Sequence, residues 1–506
     1  MVAGFPFHRP PLHFLITDLD TVRSGRLQGK CMNVEKLELR NVGQFRSLTV
    51  ALAPLPAVPS NVTILIGNNG TGKTTILKSL ATVLSWLVAR VRSDNGNGTP
   101  IPEEVIRNDA VSAALEITLT EQSDRFGWTL AKARLGRKGE HASNFDDANQ
   151  LADRYRHAFS IDASTSLPLI AFYSVERVVL DVPLKIREKH TFSQLDGYDN
   201  SLKQGVDFRR FFEWFRERED WENESGISKA ADNLERNDPE KLKALIDFIE
   251  NGGADLDNLK KFDFKGLRTV LQQATNALQI ARTLREGVRD PQLDAVRRAI
   301  GEFMPGFRNL KVRRKPRLHM SVDKQGQRLN ILQLSQGEKS LMALVGDIAR
   351  RLAMMNPGLE DPLHGNGIVL IDEVDLHLHP QWARKIVERL RTTFPNCQFV
   401  LTTHSPLVIS DCRDVLLYAL NDGELTQVPS QYGQDANTVL LDVMDTHIRN
   451  STIAKRLNDL MDFIQESKLE EAKGLLNELK LELPPNNLEL TKASLLLRKK
   501  EQRAKD

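Results

Sequence analysis

Gly67-Asn68-Asn69-Gly70-Thr71-Gly72-Lys73-Thr74 sets three glycines ahead of a lysine and a hydroxyl, which is the pattern G-x-x-x-x-G-K-S/T of a loop that wraps phosphates. The glycines let backbone N–H groups of Asn68 to Gly72, continuing to Thr75, close around a nucleotide such as ATP. Lys73 supplies a mobile positive charge for the outer phosphates, and the Thr74 hydroxyl is a ligand for magnesium. Ile368-Val369-Leu370-Ile371-Asp372-Glu373 is four apolar residues followed by two carboxylates, so the acids stand where a buried strand emerges. Asp372 can join the magnesium shell, and Glu373 can polarise a water for attack on the γ-phosphate. Leu334-Ser335-Gln336-Gly337-Glu338-Lys339-Ser340 has capping-box spacing between Ser335 and Glu338. It is either only a well-capped helix or, because Ser335 and Gly337 are small, an exposed helix end that takes a second phosphate contact. His404, after the run Leu401-Thr402-Thr403, is placed to sense a γ-phosphate.

The elements around these residues must bring them to one edge. The apolar run Asn61 to Gly67 reads as strand, with a glycine loop and the helical Ile76 to Val91 after it. Gly367 to Glu373 and Cys397 to Ser405 repeat the buried-strand pattern with a helical stretch between them, and parallel strands need such crossovers. Upstream, Val34, Leu37 and Leu39, then Phe45, Leu48, Val50 and Leu52, are spaced like two half-buried strands. The middle of the chain carries helical spacing at Phe208 to Arg218, Pro239 to Glu250, Leu267 to Glu286 and Pro291 to Phe303, the last opened by Asp290-Pro291. Near the end, helices are expected over Thr446 to Glu466 and Leu469 to Leu481, followed by a frayed tail, RKKEQRAKD. This gives an irregular extension over 1–31 ahead of a start at Met32, an α/β lobe over 32–180, a helical insertion over 181–309, a second α/β lobe over 310–441 and C-terminal helices over 442–506.

The 506 residues are 41% hydrophobic, with 69 Lys plus Arg against 67 Asp plus Glu, so any contact with nucleic acid must come from a local patch. Lys311, Arg313, Arg314, Lys315 and Arg317 form that patch in KVRRKPR; it is either a phosphate-backbone contact for DNA or RNA or a solvated basic face. The three cysteines form no C-x-x-C pair, which argues against a disulfide framework and for a reducing cytoplasm. No apolar run is read as reaching the roughly 20 residues that cross a bilayer, because Ser85 and Arg90 interrupt Leu80 to Val91; no membrane partner is expected.

The order of the motifs resembles the ABC-type ATPases of the RecF and SMC-like branch. The fold that this implies is α/β, an ABC-type (RecF/SMC-like) P-loop ATPase head with a helical insertion and a C-terminal helical segment. By that resemblance two heads sandwich ATP and Mg2+: Ser335 and Gly337 act in trans on the partner's loop, Asp372 and Glu373 in cis, Asp375 sits in the D-loop, and His404 is the switch. A homodimer, or a higher oligomer of dimers, follows. Asn41, Phe45 and Arg46 resemble the segment near the base and ribose, a packed Phe and a solvated Arg being the alternative. Arg177, in Tyr173-Ser174-Val175-Glu176-Arg177, stands where the family has a loop between the lobes, without the usual glutamine. His377 and His379 are either a metal pair or plain neighbours of the D-loop, and no third ligand lies near them in sequence.

The strings IDEVDLHLHPQW, FPNCQFVLTTHSP and QLSQGEKSLMALVGDIARRLA, with FRRFFEWFREREDWENE and QLDAVRRAIGEFMPGF, are similar to the PtuA ATPases of Septu and retron-linked antiphage defence. That resemblance implies an HNH nuclease partner, PtuB, controlled by the ATPase, and a reverse transcriptase with its msDNA where the system is a retron. The competing reading is an OLD-like or RecF-like ATPase acting directly on DNA.

Overall fold

The computed structural model describes residues 31–175, 192–203, 208–237, 289–315, 317–444 and 450–503. In chain order the first elements are β1 (Asn33–Val42), β2 (Phe45–Ala51), β3 (Val62–Ile66), α1 (Lys73–Arg92), β4 (Ser112–Glu121), β5 (Asp124–Ala133), α2 (Asp146–Ile161), β6 (Leu169–Tyr173), α3 (Phe208–Asn237) and α4 (Pro291–Phe303). Then come β7 (Phe307–Arg313), β8 (His319–Lys324), β9 (Gln327–Asn330), α5 (Gln336–Met355), β10 (Gly367–Ile371), α6 (Pro380–Ala383), α7 (Ile386–Thr393), β11 (Cys397–Thr402), α8 (Pro406–Ser410), β12 (Leu416–Asn421) and β13 (Glu424–Val428). Last are α9 (Ala436–Asp442), α10 (Ser451–Gln465), α11 (Leu469–Glu482) and α12 (Leu488–Arg503).

The central sheet has the order β13-β12-β3-β11-β10-β6. All its neighbours pair in parallel except the edge pair β12 and β13. Every residue of β3, β6, β10 and β11 is buried, which is why these strands read as unbroken apolar runs. A second, antiparallel sheet runs β2-β1-β4-β5. Its β1 carries a register shift between Val34 and Lys36, and this accounts for the three-residue step from Val34 to Leu37 in an otherwise alternating pattern. The two sheets are joined by Gln398 of β11, fully buried, whose side chain accepts from Val34 N–H at 2.8 Å and donates to the carbonyls of Val34 at 2.8 Å and Ala53 at 2.6 Å.

Helix α1 is long and apolar enough to cross a membrane by length and composition, which corrects the expectation drawn from Ser85 and Arg90. Its tertiary contacts show why it packs inside. It starts in the phosphate loop, lies against β4, β6, β10 and β11, and receives the Trp128 indole N–H at the Val83 carbonyl, 3.0 Å away.

Of the helical middle, α3 and α4 are described; the expected helices over 239–250 and 267–286 fall outside the described residues. Asp290 caps α4 by accepting from Leu293 N–H at 2.8 Å, with Pro291 in the first turn, as Asp290-Pro291 predicts. Both helices pack on α5, and Gly346 of α5 makes room for Phe211, whose ring lies 2.9 Å from where a Cβ would stand. The antiparallel sheet β7-β8-β9 has no counterpart in the helical reading of 181–309, which ends at its third residue.

The chain forms two compact units, Met1–Tyr432 and Gly433–Asp506, so α9 belongs with the second unit and not with the lobe ending at 441. In that unit Leu457, Leu460 and Ile464 of α10, Ala472, Leu476 and Leu479 of α11, and Leu490, Ala493 and Leu497 of α12 share one core. The expected frayed tail is therefore corrected: 498–503 continue a third helix, held by the helical spacing of Leu490, Ala493 and Leu497. The expected start of α10 at Thr446 lies outside the described residues; the described helix begins after the Asn450 cap.

Replacing Gln398 by Leu keeps the volume but orphans the N–H and carbonyl of Val34 in the interior. Each orphaned group should cost about 1–3 kcal/mol, read as a lowered midpoint in denaturant unfolding.

Candidate functional site

Because β3, β6, β10 and β11 run parallel, their carboxyl ends meet on one edge, where ligands bind in α/β sheets. In register, Ile371 stands beside Tyr173 and Leu401, and Thr402 beside Leu65. The residues that follow are Gly67 to Thr74 after β3, Asp372 and Glu373 after β10, and Thr403 and His404 after β11.

Gly67, Gly70 and Gly72 take positive φ, at 148°, 82° and 96°. Gly67 and Gly72 are also sterically fixed: a Cβ at Gly67 would stand 2.3 Å from the Leu420 carbonyl, and one at Gly72 2.6 Å from the Phe45 ring. Lys73, buried at 5% exposure, donates to the carbonyls of Gly67 at 2.8 Å and Asn68 at 2.9 Å. Burial lowers its pKa, against the opposing pull of Asp372 and Glu373. Thr71 Oγ1 donates to the Asn68 carbonyl at 2.9 Å, so the loop is folded on its own acceptors.

Asp372, 1% exposed, is held from two sides. Thr74 Oγ1 donates to its Oδ2 at 2.8 Å and Thr402 Oγ1 to its Oδ1 at 2.6 Å. The Thr402 oxygen also accepts from Glu373 N–H at 2.7 Å, which fixes Glu373 with a left-handed φ of 47°. Thr403 Oγ1 donates to Asp375 and accepts from Ser405 N–H at 3.0 Å. Burial, and then the Lys73 ammonium, hold His404 below the ordinary imidazole range, against Glu373, Asp375 and Asp372, which pull it up. Thr74 and Asp372 together present hard oxygen donors of the kind magnesium takes.

Ser335 caps α5 with both halves of the capping box formed: Ser335 Oγ accepts from Glu338 N–H at 3.3 Å, and Glu338 Oε2 accepts from Ser335 N–H at 3.0 Å. Lys324 pairs with Glu338 at 2.6 Å. Ser335 and Gln336 are exposed, so this helix end faces solvent. Gly337 lies against the segment after Asp372 and Glu373, where a Cβ would meet the His377 carbonyl at 2.2 Å. His379 caps α6, its Nδ1 accepting from Gln381 N–H at 3.3 Å, so it is spent on a helix end.

Of the less central residues, Phe45 is buried and Arg46 exposed, with the hairpin tip against Gly72. Arg177 lies outside the described residues. In the basic segment Lys311, Arg314, Lys315 and Arg317 are exposed and Arg313 is half-buried. Arg314 pairs with Asp220 of α3, and the backbone of Val312 donates to Glu219 at 2.9 Å, so the acids of α3 partly answer this patch.

Two features escape the motif reading. One is the pair Thr402 and Thr403, the polar end of an apolar run. The other is a buried charge cluster on α5: Asp347 pairs with Arg350 and Arg351, each at 2.7 Å, and accepts from Tyr173 Oη at 3.0 Å. Burial works against the Asp347 carboxylate, but Arg351 and Arg350 prevail and bring it down to about 2. Arg351 goes on to donate to the Gly197 carbonyl at 2.6 Å. Spacing of three and four residues within an apolar helix face is the signal that could have found it.

The chain matches the family AAA_21, described as "AAA domain, putative AbiEii toxin, Type IV TA system", over residues 62–410. It is 36% identical over 416 residues to the retron Ec83 probable ATPase of Escherichia coli, covering 80% of this chain and 74% of that one. To the retron Vc95 probable ATPase of Vibrio cholerae serotype O1 biovar El Tor it is 34% identical over 435 residues, covering 82% and 80%. A shorter match, 40% identical over 113 residues and covering 21% of this chain and 15% of the other, is to the Septu protein PtuA of Bacillus mycoides (strain KBAB4). Among solved structures, an Smc head domain with a coiled coil and joint from Pyrococcus yayanosii aligns with TM-score 0.41 at 14% identity, over 81% of this chain and 99% of that one. The resemblance to PtuA and retron ATPases drawn from the motifs is borne out by the sequence relatives.

Thr402→Val removes one donor from Asp372 and the acceptor of Glu373 N–H while keeping the β-branched shape. ATP turnover should fall about 10- to 100-fold, the equivalent of a lost hydrogen bond to a charged group, in a phosphate-release assay. Binding of ADP should change far less.

Proposed function

The chain belongs to the AAA_21 ATPase family, with retron ATPases among its relatives, and from that membership we propose a regulatory ATPase of antiphage defence. It acts in the cytoplasm as a dimer, or a higher oligomer of dimers, and controls a partner HNH nuclease of the PtuB kind. Where the system is a retron, a reverse transcriptase and its msDNA join the complex.

The observation that carries this reading is the threonine-pinned carboxylate. Asp372 sits between Thr74 of the phosphate loop and Thr402 of the neighbouring strand, which also holds the Glu373 N–H, so Thr74, Asp372 and the Glu373 backbone are aligned by the fold itself. Asn68 to Gly72, with Thr75, cradle the phosphates and Lys73 meets the outer ones. Magnesium, which Thr74 and Asp372 would hold, would supply neutralisation of phosphate charge. Glu373 is the base for the attacking water and His404 the γ-phosphate sensor. Asp375 transmits the state of the pocket along the D-loop. Arg46 and Arg177 are the outlying nucleotide contacts.

The pairing of heads is supported by Ser335, which serves its own helix cap while the helix end faces solvent. We assign Ser335 and Gly337 to the nucleotide of the opposite copy, so ATP occupancy is converted into subunit geometry. Lys311, Arg313, Arg314, Lys315 and Arg317 are the candidate contact for a nucleic-acid backbone.

Co-expressing a Lys73→Ala copy with a Ser335→Arg copy tests the shared pocket. Each parent should be inactive, and random pairing in symmetric dimers should return about a quarter of wild-type turnover. Soluble mixtures that stay inactive exclude action in trans.

Co-expression with the adjacent genes tests the partner. An HNH protein should copurify, and DNA cleavage should require it. Nucleic acid carried with the complex should be lost when Lys311, Arg313 and Lys315 are replaced by Glu. Cleavage by the purified chain alone would instead favour direct action on DNA.

A further inference from the structure

Three consecutive residues at the tip between β1 and β2 each meet a different residue of the phosphate loop. Gly43 lies against Thr75, where a Cβ would stand 3.2 Å from Cγ2. The Gln44 side-chain amide donates to the Thr71 carbonyl. The Phe45 ring closes on Gly72. The tip is fixed from behind by Gly43 N–H donating to the Val105 carbonyl at 2.7 Å and Arg107 N–H to the Asn41 carbonyl at 3.0 Å. The Arg107 guanidinium, paired with Asp109 at 2.6 Å, also reaches the Gln44 carbonyl at 3.4 Å. Asn41 and Gly43 take φ of 55° and 57°, which makes the tip a tight turn that presents Gln44 forward.

Phe45 is buried and explains itself as packing. Gln44 is exposed, so its amide fills no core; what it does is hold one peptide plane. Across a trans peptide the C=O and the following N–H point to opposite sides. With the Thr71 carbonyl drawn to Gln44, the Gly72 N–H is turned to the other side. Gly72 is the residue that opens α1, where unsatisfied N–H groups gather and favour an anion. The same carbonyl left unheld would be free to turn toward the phosphates, putting an acceptor where a donor is needed.

We propose that Gln44 is a positioning residue for polyphosphate binding: its amide anchors the Thr71 carbonyl and so keeps the Gly72 N–H aimed into the phosphate loop. The inference rests on the nucleotide-binding reading above and adds a residue outside the G-x-x-x-x-G-K-S/T motif. It concerns the triphosphate, whatever the base, so it has a readout that a base contact would not give.

The test uses the full chain as wild type, Gln44→Ala and Gln44→Glu. Affinities for ATP and for inorganic tripolyphosphate are measured by calorimetry, with thermal unfolding of the ligand-free proteins and steady-state turnover alongside. Gln44→Ala should weaken ATP and tripolyphosphate alike, by about 3- to 10-fold, as for one lost hydrogen bond. KM should rise by a similar factor while kcat at saturating ATP changes less than about twofold, since the loss is one of binding. Gln44→Glu should lose about 10-fold or more, because a carboxylate cannot donate to the Thr71 carbonyl and repels the phosphates. The ligand-free melting temperature of both variants should match wild type. Unchanged tripolyphosphate affinity in both variants, or a loss confined to ATP, overturns the inference. Wild-type protein that binds neither ligand overturns the nucleotide reading itself and takes the inference with it.

Discussion

The carboxylate of Asp372 is the point on which the rest of the structure depends. A charge at 1% exposure is tolerated only when its oxygens are paired, and here two hydroxyls from two different neighbours provide that pairing. The consequence is geometric. Thr74 comes from the loop after β3 and Thr402 from the end of β11, so one buried anion ties three adjacent parallel strands together at their carboxyl ends. Lys73 answers to the same field, since Asp372 and Glu373 pull its pKa up against the burial that lowers it. A parallel sheet supplies the edge; the buried acid makes that edge a single site.

A second constraint reaches this edge from behind. Tyr173 ends β6, beside β10, and its hydroxyl donates to Asp347 of α5, the helix whose first turn carries Ser335 and Gly337. Asp347 is balanced by two buried arginines, and Arg351 extends the cluster to the Gly197 carbonyl. Breaking such a cluster by removing one partner leaves a buried charge exposed to its full desolvation cost. The helix that bears Ser335 and Gly337 is thus tied to β6, the strand beside the one that leads to Asp372. Phe211 over Gly346 packs α3 on the same helix.

How legible all this was in the sequence follows from which interactions are local. The glycine turn after β3, the serine cap and the buried strands of the central sheet were legible because each depends on neighbours within a few residues: glycines before a lysine, apolar runs before polar ends, Ser335 three residues from Glu338. Asp290-Pro291 opened its helix for the same reason. What escaped was non-local. Nothing near Thr402 says that its hydroxyl will face an acid 30 residues away, and nothing near Gln398 says that it will bridge to β1. The sheet of β7 to β9, which begins where the helical reading ends, was not picked out because its strands are short and charged. The last described helix of the C-terminal unit, α12, was hidden because RKKEQR looks solvated, although Leu490, Ala493 and Leu497 behind it bury one face.

The helix end of α5 bears on how two copies would act together on the proposed pairing. An N-terminus attracts anions because its first N–H groups lack partners, and the attraction fades within a turn. In this chain the end of α5 cannot swing freely to seek a phosphate: Gly337 is wedged against the His377 carbonyl with no room for a side chain, and farther along the helix Asp347 is tied to Tyr173. The same wedge joins the first turn of α5 to the segment that runs on from Asp372 and Glu373. On the proposed pairing, a triphosphate brought by a second head would pull on α5, and the pull would be delivered at once to the His377 backbone, and through the D-loop to the first copy's own acids. One rigid contact between a glycine and a carbonyl would then couple the two pockets, so that filling one aligns the other without any hinge inside the head.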